Sequence, residues 1–366
     1  MPVTCGIVGL PNSGKTTLFN AFTASRADRA LYPFSTTEAA EAMVSVPDAR
    51  LERIHKYIET ERIVPAAVAV VDIPGLVPGS STGKGLGNKF LGSIKECDAI
   101  LHVVRCFDAP DVVRDGPVDP AGDMEVLELE LVLADLDTVT RNLDRVGKKA
   151  RAAEKQALQE QQVFARAKAA LEQGTTLRTL EWKPPELEAL RPLFLITLKP
   201  TLYVANIDQA DLEGLTGPSE RAALVAAHAE RMRAQSTALC GDIECELVNM
   251  EPDERAEFQR EFKIAELGLP RLIRATYALL GLQTFFTAGP KEIRAWTIHR
   301  GDTGPKAAGV IHTDFEKGYV RAEVYSVEDL ERHGSEAAIK AAGKLRVEGR
   351  DYVMREGDVA HFLVSK

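Results

Sequence analysis

A doubly wound α/β core is what this sequence predicts, on three observations. Short, almost wholly apolar runs recur between helical patterns, and the first of them feeds a glycine-rich turn that opens a helix. Downstream the texture shifts twice, to a proline-free helical tract and then to a β-rich C-terminal stretch.

Taken in order, VTCGIVGL (3–10) is bounded by glycine and reads as a strand buried on both faces, and LFNAFTAS after GLPNSGKTT reads as the helix that follows it. AAVAVVDI (66–73), AILHVVRCF (99–107) and TLYVAN (201–206) repeat the strand pattern. Between 123 and 192, Ala, Leu, Glu, Lys and Arg dominate at helical spacing, which favours long helices with breaks expected at Gly147 and Gly174. Two readings stand for this tract: a helical hairpin inserted in the sheet domain, or surface helices packed on it. From Thr284 the runs RAWTIHR, YVRAEVYS, DYVM and VAHFLVS read as strands around a helical EAAIKAAGKL, giving a small α+β unit.

At 366 residues the chain is long enough for two or three domains. Its net charge of −9 argues against a whole-surface nucleic-acid binder, so DNA is not an expected partner and any RNA contact must be regional. The basic run Arg141, Arg145, Lys148, Lys149, Arg151, Lys155 is one such region, or simply a solvated helix face. The five cysteines form no ligand spacing, which predicts neither a zinc site nor a disulfide framework. No apolar run reaches the ~18 residues of a membrane span, so no membrane contact is expected and the expected location is the cytoplasm.

GLPNSGKT fits G-x-x-x-x-G-K-[ST] through Gly9, Gly14, Lys15 and Thr16, in the strand-to-helix context the motif requires. The chemistry is specific. Glycines let main-chain N–H groups of Asn12, Ser13, Gly14 and their neighbours through Thr17 turn toward phosphates, Lys15 reaches the β and γ oxygens, and the Thr16 hydroxyl suits Mg²⁺. In VVDIPGL, Asp72 ends a strand as a second candidate for Mg²⁺, and the Gly75 N–H is placed to sense a γ-phosphate. Leu76 stands where some GTPases carry a water-orienting Gln, and its side chain cannot hydrogen-bond water. Slow intrinsic turnover is therefore expected. Asn12 is a candidate ligand for a monovalent cation such as K⁺, or else an asparagine holding its own turn. Among the hydroxyls of LYPFSTTEA, Thr36 is chosen over Thr37 and Ser35 as a switch ligand for Mg²⁺, and the glycine-rich tract 78–91 reads as a loop ordered by the γ-phosphate.

With GLPNSGKTT, YPFSTT, DIPGLVPG, KGLGNKFL, HVVRCF and AAGVIHTDFEKGYVRAEV in this order, the chain resembles the YchF (Obg-like ATPase) family along essentially its whole length. The resemblance implies a Ras-like P-loop nucleotide-binding domain at 1–122 and 193–283. It also implies an inserted helical coiled-coil domain at 123–192 and a C-terminal β-grasp (TGS, ubiquitin-like) domain at 284–366. It implies Mg²⁺-dependent ATP hydrolysis, association with the ribosome, and stress or redox regulation. The Thr36 role and the reading of Leu76 as a hydrophobic replacement for Gln rest chiefly on it.

The base is the open question. A guanine-reading fold carries Asn-Lys-x-Asp after a strand, and this family usually carries Asn-x-x-Glu. Here the segment is Asn206-Ile207-Asp208-Gln209. An Asp at 209 would accept two guanine N–H bonds, and losing both removes on the order of 10² to 10⁴ of guanine preference. Gln209 neither demands guanine nor excludes adenine. Ile207 offers apolar surface for base or ribose, Asn206 ties the loop to the P-loop, and Cys240-Gly241 match the family's last base-contacting loop. ATP is expected to bind better than GTP.

Two departures limit the carry-over. Ser35 stands where relatives often have cysteine, so thiol regulation there does not transfer. Arg114 stands where relatives can place a histidine, and reads either as a phosphate neutraliser or as an ordinary surface arginine. Lys148, Lys149 and Lys291 are expected to form a basic groove for rRNA. The rivals are a small-molecule kinase, a GTP-binding translation or ribosome-assembly GTPase, and a nucleotide-gated RNA scaffold with incidental hydrolysis; turnover with and without ribosomes separates switch from scaffold.

Overall fold

The computed structural model describes residues 3–24, 41–74, 86–108, 117–150, 155–213, 219–262, 264 and 266–365. They group into two compact units, one built chiefly from Met1–Ser25 and Ala69–Leu272, the other from Met43–Val68 and Ile273–Lys366.

The strands are β1 (Thr4–Val8), β2 (Glu41–Ser45), β3 (Ile63–Val64), β4 (Ala67–Asp72), β5 (Ala99–Cys106), β6 (Thr201–Ile207), β7 (Gln235–Leu239), β8 (Leu282–Ala288), β9 (Ile293–His299), β10 (Tyr319–Ser326), β11 (Arg346–Glu348) and β12 (Asp358–Val364). One sheet has the order β2-β4-β1-β5-β6-β7, in which β4, β1, β5, β6 and β7 run parallel. Every residue of β5 and β6 is buried, as the apolar runs predict for strands covered on both faces. The register pairs Ile7 with Asp72, Val8 with His102, Cys106 with Ile207 and Asn206 with Leu239. β5 and β6 thus run on past the level at which β1 stops, and the carboxyl edge of these strands is where an open parallel sheet holds a ligand.

The helical tract is an antiparallel-style pair, Pro120–Ala150 and Lys155–Glu172, sharing a core of Val132, Val139, Val146, Ala157, Phe164, Ala167 and Leu171. Gly147 is not a break. It lies inside the first helix, where burial of Val146 against the partner offsets the ~1 kcal/mol that glycine costs relative to alanine. Gly174 does end the second helix, at φ +73°, with its N–H donating to Leu171 O and Thr175 N–H to Ala170 O. Among the described residues no helix is long and apolar enough to cross a membrane.

The second unit is a sheet in the order β11-β10-β12-β8-β9-β3 around Phe285, Ile298, Ala307, Ala308, Tyr319, Val324 and Ala360. DYVM is not a strand; Val353 makes an isolated bridge to Thr303, while Tyr352 N–H donates to Gly349 O in a turn and Met354 N–H to Asp302 O. The unexpected member is β3, which comes from the N-terminal half and pairs parallel with β9. Its neighbours follow it. Arg53 binds Glu328 and Glu331, Arg62 binds Glu292, and Arg50 binds Glu356 while lying over Phe286.

Candidate nucleotide site

β1 stops at Val8, and the loop from Gly9 to Gly14 leads into the helix Lys15–Ala24. Backbone space dictates both glycines. A Cβ on Gly9 would meet Val103 O at 2.5 Å and Ser13 Oγ at 2.7 Å, and one on Gly14, whose φ is +87°, would collide with Asn206 Nδ2. Asn12 also adopts the left-handed region, at φ 64°, which asparagine tolerates better than most residues. Its side chain is exposed at the loop's apex.

The Lys15 side chain is buried and donates from Nζ to Leu10 O at 2.8 Å. Burial pushes its ammonium below the usual lysine range, and Asp72 pulls it partway back. Asp72, half-buried at the end of β4, is in turn raised by burial and lowered by Lys15. Each charge thus favours the ionised form of the other. Ser13 Oγ is buried without a hydrogen-bond partner, which is a sign of a site that a ligand completes. Thr16 presents an exposed hydroxyl at the helix N-terminus; Thr17 is half-buried, and its carbonyl accepts from Cys245 Sγ at 3.0 Å. Thr16, at the start of the helix, and Asp72, at the end of β4, both carry hard oxygen donors of the kind that suits Mg²⁺.

Asn206 joins three loops with one amide. Its Nδ2 donates to Ser13 O at 3.1 Å and its Oδ1 accepts from Gly241 N at 2.9 Å. The expected tie between β6 and the P-loop is therefore present, and it extends to the loop after β7. Cys240 is buried, and Gly241 opens the helix Gly241–Val248. Ile207, expected to offer apolar surface to base or ribose, is buried in one cluster with Val104, Cys106, Tyr203, Cys240 and Ile243. Asp208 faces away from the base-reading position: its Oδ2 accepts from Asp108 N at 3.0 Å. Gln209 is exposed as the first residue of the short helix Gln209–Glu213.

Sequence reading missed Phe107. Its ring lies 3.7 Å from where a Gly14 Cβ would stand, and the buried Arg105 sits 5.0 Å over its centre while donating from Nε to Phe107 O at 3.1 Å. The signal was there: an aromatic residue directly after a fully buried strand, at the carboxyl edge. Thr36, Gly75, Leu76, Ser35, Thr37 and Arg114 lie outside the described residues, as do Arg151 and most of the glycine-rich tract 78–91. The end of that tract, from Leu86, is the start of the helix Leu86–Glu96. Lys148 and Lys291 are each exposed.

Comparison with known proteins agrees with this geometry. Residues 4–155 match a family described as a 50S ribosome-binding GTPase, and residues 282–365 match the YchF-GTPase C-terminal family, described as a protein of unknown function. The chain is 46% identical over 363 residues to the ribosome-binding ATPase YchF of Pasteurella multocida, covering 99% of each. It is 45% identical to that of Escherichia coli O157:H7 over the full length of both, and 39% identical to Obg-like ATPase 1 of Gallus gallus, spanning 98% of this chain and 91% of that protein. The solved structure of the Schizosaccharomyces pombe YchF GTPase superposes with a TM-score of 0.89 at 35% identity, covering 99% of this chain and 98% of that one.

Proposed function

The chain belongs to the YchF family of Obg-like ATPases, and on that footing we propose that it is a slow, ribosome-associated nucleotide switch that hydrolyses ATP in preference to GTP and acts in translation or its stress response. The observation that carries the base preference is at the end of β6. Asn206 is engaged as in a nucleotide-reading loop, yet position 209 holds a neutral amide, and the nearby carboxylate of Asp208 is taken by the Asp108 N–H. Nothing on that strand end demands guanine.

Lys15 would exchange its bond to Leu10 O for the terminal phosphate oxygens, and the N-terminus of its helix adds a favourable field for the anion. Thr16 and Asp72, joined by Thr36 from the family pattern, would hold Mg²⁺, which when bound supplies charge neutralisation at the β and γ oxygens. Gly75 is the proposed γ-phosphate sensor and Asn12 the proposed partner of a monovalent cation, K⁺ among them. With Leu76 unable to orient water, this chain's own residues bind and position the triphosphate more than they activate the nucleophile.

The same reading divides the chain into the nucleotide domain, the helical insert and the TGS domain, with the helical insert and the TGS domain as the ribosome-facing parts through exposed lysines such as Lys148 and Lys291. The deciding measurement is the pair of dissociation constants for ATP and GTP in wild type and Gln209→Asp. Wild type should favour ATP, and the substitution should move the preference toward GTP by about tenfold or more. Tight GTP binding by the wild type overturns the base assignment.

A further inference from the structure

Beside the site, the two consecutive peptide groups that join Cys106, Phe107 and Asp108 at the end of β5 are held by charged side chains from three parts of the fold. Arg221, on the helix Glu220–Arg231, donates from Nη1 to Cys106 O at 3.4 Å. Arg105 holds Phe107 O at 3.1 Å. Asp208, at the end of β6, accepts from the Asp108 N–H at 3.0 Å. The Asp108 carboxylate then closes the set by accepting both guanidinium arms of Arg221, at 2.9 and 3.1 Å. This two-armed pairing fixes direction as well as distance. Between these anchors sits the Phe107 ring, with the Arg105 guanidinium 5.0 Å from its centre and its edge 3.7 Å from where a Cβ on Gly14 would stand.

We propose that Asp208, Asp108 and Arg221 form a latch that positions Phe107 and the 206–209 turn as the platform for the purine, so that they set base affinity while leaving triphosphate binding and hydrolysis to the P-loop. The inference rests on reading this edge as a nucleotide site, and it deepens that reading. Asp208 is one residue short of the guanine-reading position, and it is committed sideways, tying the end of β6 to the end of β5. Arg221 ties the end of β5 to the helix Glu220–Arg231. A base extending from phosphates bound at Gly14 toward Asn206 meets the Phe107 edge, and the latch is what holds that edge still. None of the three latch residues touches the P-loop bonds made by Lys15 or Asn206. The carboxylate of Asp108 stays ionised because the Arg221 hydrogen bonds hold it below the usual carboxylate range.

The test separates base from phosphate. Affinities for ATP, GTP and inorganic tripolyphosphate are measured on the full chain for wild type, Arg221→Ala, Arg221→Lys, Asp208→Ala and Asp208→Asn, together with kcat and KM for ATP and a thermal melt of each. Arg221→Ala and Asp208→Ala should weaken ATP about tenfold through KM, with kcat, tripolyphosphate affinity and melting close to wild type. Asp208→Asn keeps an acceptor oxygen for the Asp108 N–H and should bind ATP nearly as wild type does. Arg221→Lys keeps the charge without the fork and should fall between. The latch is overturned if ATP affinity is unchanged in both alanine variants, if tripolyphosphate weakens as much as ATP, or if Asp208→Asn loses as much as Asp208→Ala. A wild type that binds tripolyphosphate but neither purine nucleotide defeats the nucleotide reading itself; a wild type that binds ATP with indifferent variants defeats the latch alone.

Discussion

His102 lies under the nucleotide site with its ring 5.0 Å from Tyr203, and burial lowers its pKa to about 3 from 6.5. Glu128 opposes that shift, while Arg178, His228 and Lys15 add to it. Glu128 itself is raised by burial, but hydrogen bonds from His228 and Tyr203 more than offset this and leave it below the ordinary range. The sign follows from proton counting. Between pH 6.5 and about 3 the unfolded chain protonates His102 while the native chain does not, so stability is lost as pH falls through that window. Below the ordinary glutamate range, protonation of Glu128 costs further stability in the same direction. His102→Gln should therefore flatten the acid side of a melting-temperature profile from pH 6.5 downward; a variant whose profile tracks the wild type down to pH 4 would show that burial of this imidazole is not what sets the slope. Local pattern alone made Gly9, Gly14, Lys15 and Thr16 legible, because phosphate cradling is done by main-chain groups over a few contiguous residues. The pairing of Asp108 with Asp208 and Arg221 was not legible, since these residues meet only when β5, β6 and the helix Glu220–Arg231 are assembled.

Elements were readable where burial is symmetrical. β5 and β6 are apolar along their length because both faces are covered, and that texture survives in one dimension. Gly147 shows the opposite case. Glycine lowers helix propensity wherever it stands, but the helix Pro120–Ala150 is held by its partner through Val139, Val146, Ala157 and Phe164. A Cβ at Gly147 would meet only Gln161 Nε2, at 3.7 Å, which is ordinary contact. Gly147→Ala should accordingly raise stability by roughly 0.5–1 kcal/mol, read as a shifted denaturant midpoint with an unchanged slope. A loss of stability would mean that the helix needs glycine there for a reason other than space. DYVM is no strand because its backbone bonds go to a turn at Gly349 and to the loop at Asp302–Gly304 rather than to a ladder.

For the molecule as a whole, the chain path matters more than the order of its domains. Residues 43–68 belong to the C-terminal unit although they precede Asp72 in sequence, and Leu51, Ile54 and Val64 are buried in it. The helix Arg50–His55 packs on β9 and on the helix Val327–His333. A chain cut after Gly281 would uncover those three side chains, each worth about 1.5–3 kcal/mol on full burial, and leave Arg50, Arg53 and Arg62 without Glu356, Glu328, Glu331 and Glu292. The cut chain should aggregate or bind a hydrophobic dye and melt well below the full one; a monomeric cut chain with an equally cooperative melt would show that 43–68 holds its shape alone. By itself the sequence determined the triphosphate cradle, the buried parallel strands and the helical tract, since each is written in residues adjacent along the chain. Only the tertiary structure decided that Asp208 turns to Asp108, that Phe107 borders the P-loop and that β3 joins the C-terminal sheet. Those pairings join residues tens to hundreds of positions apart, and no local periodicity records them.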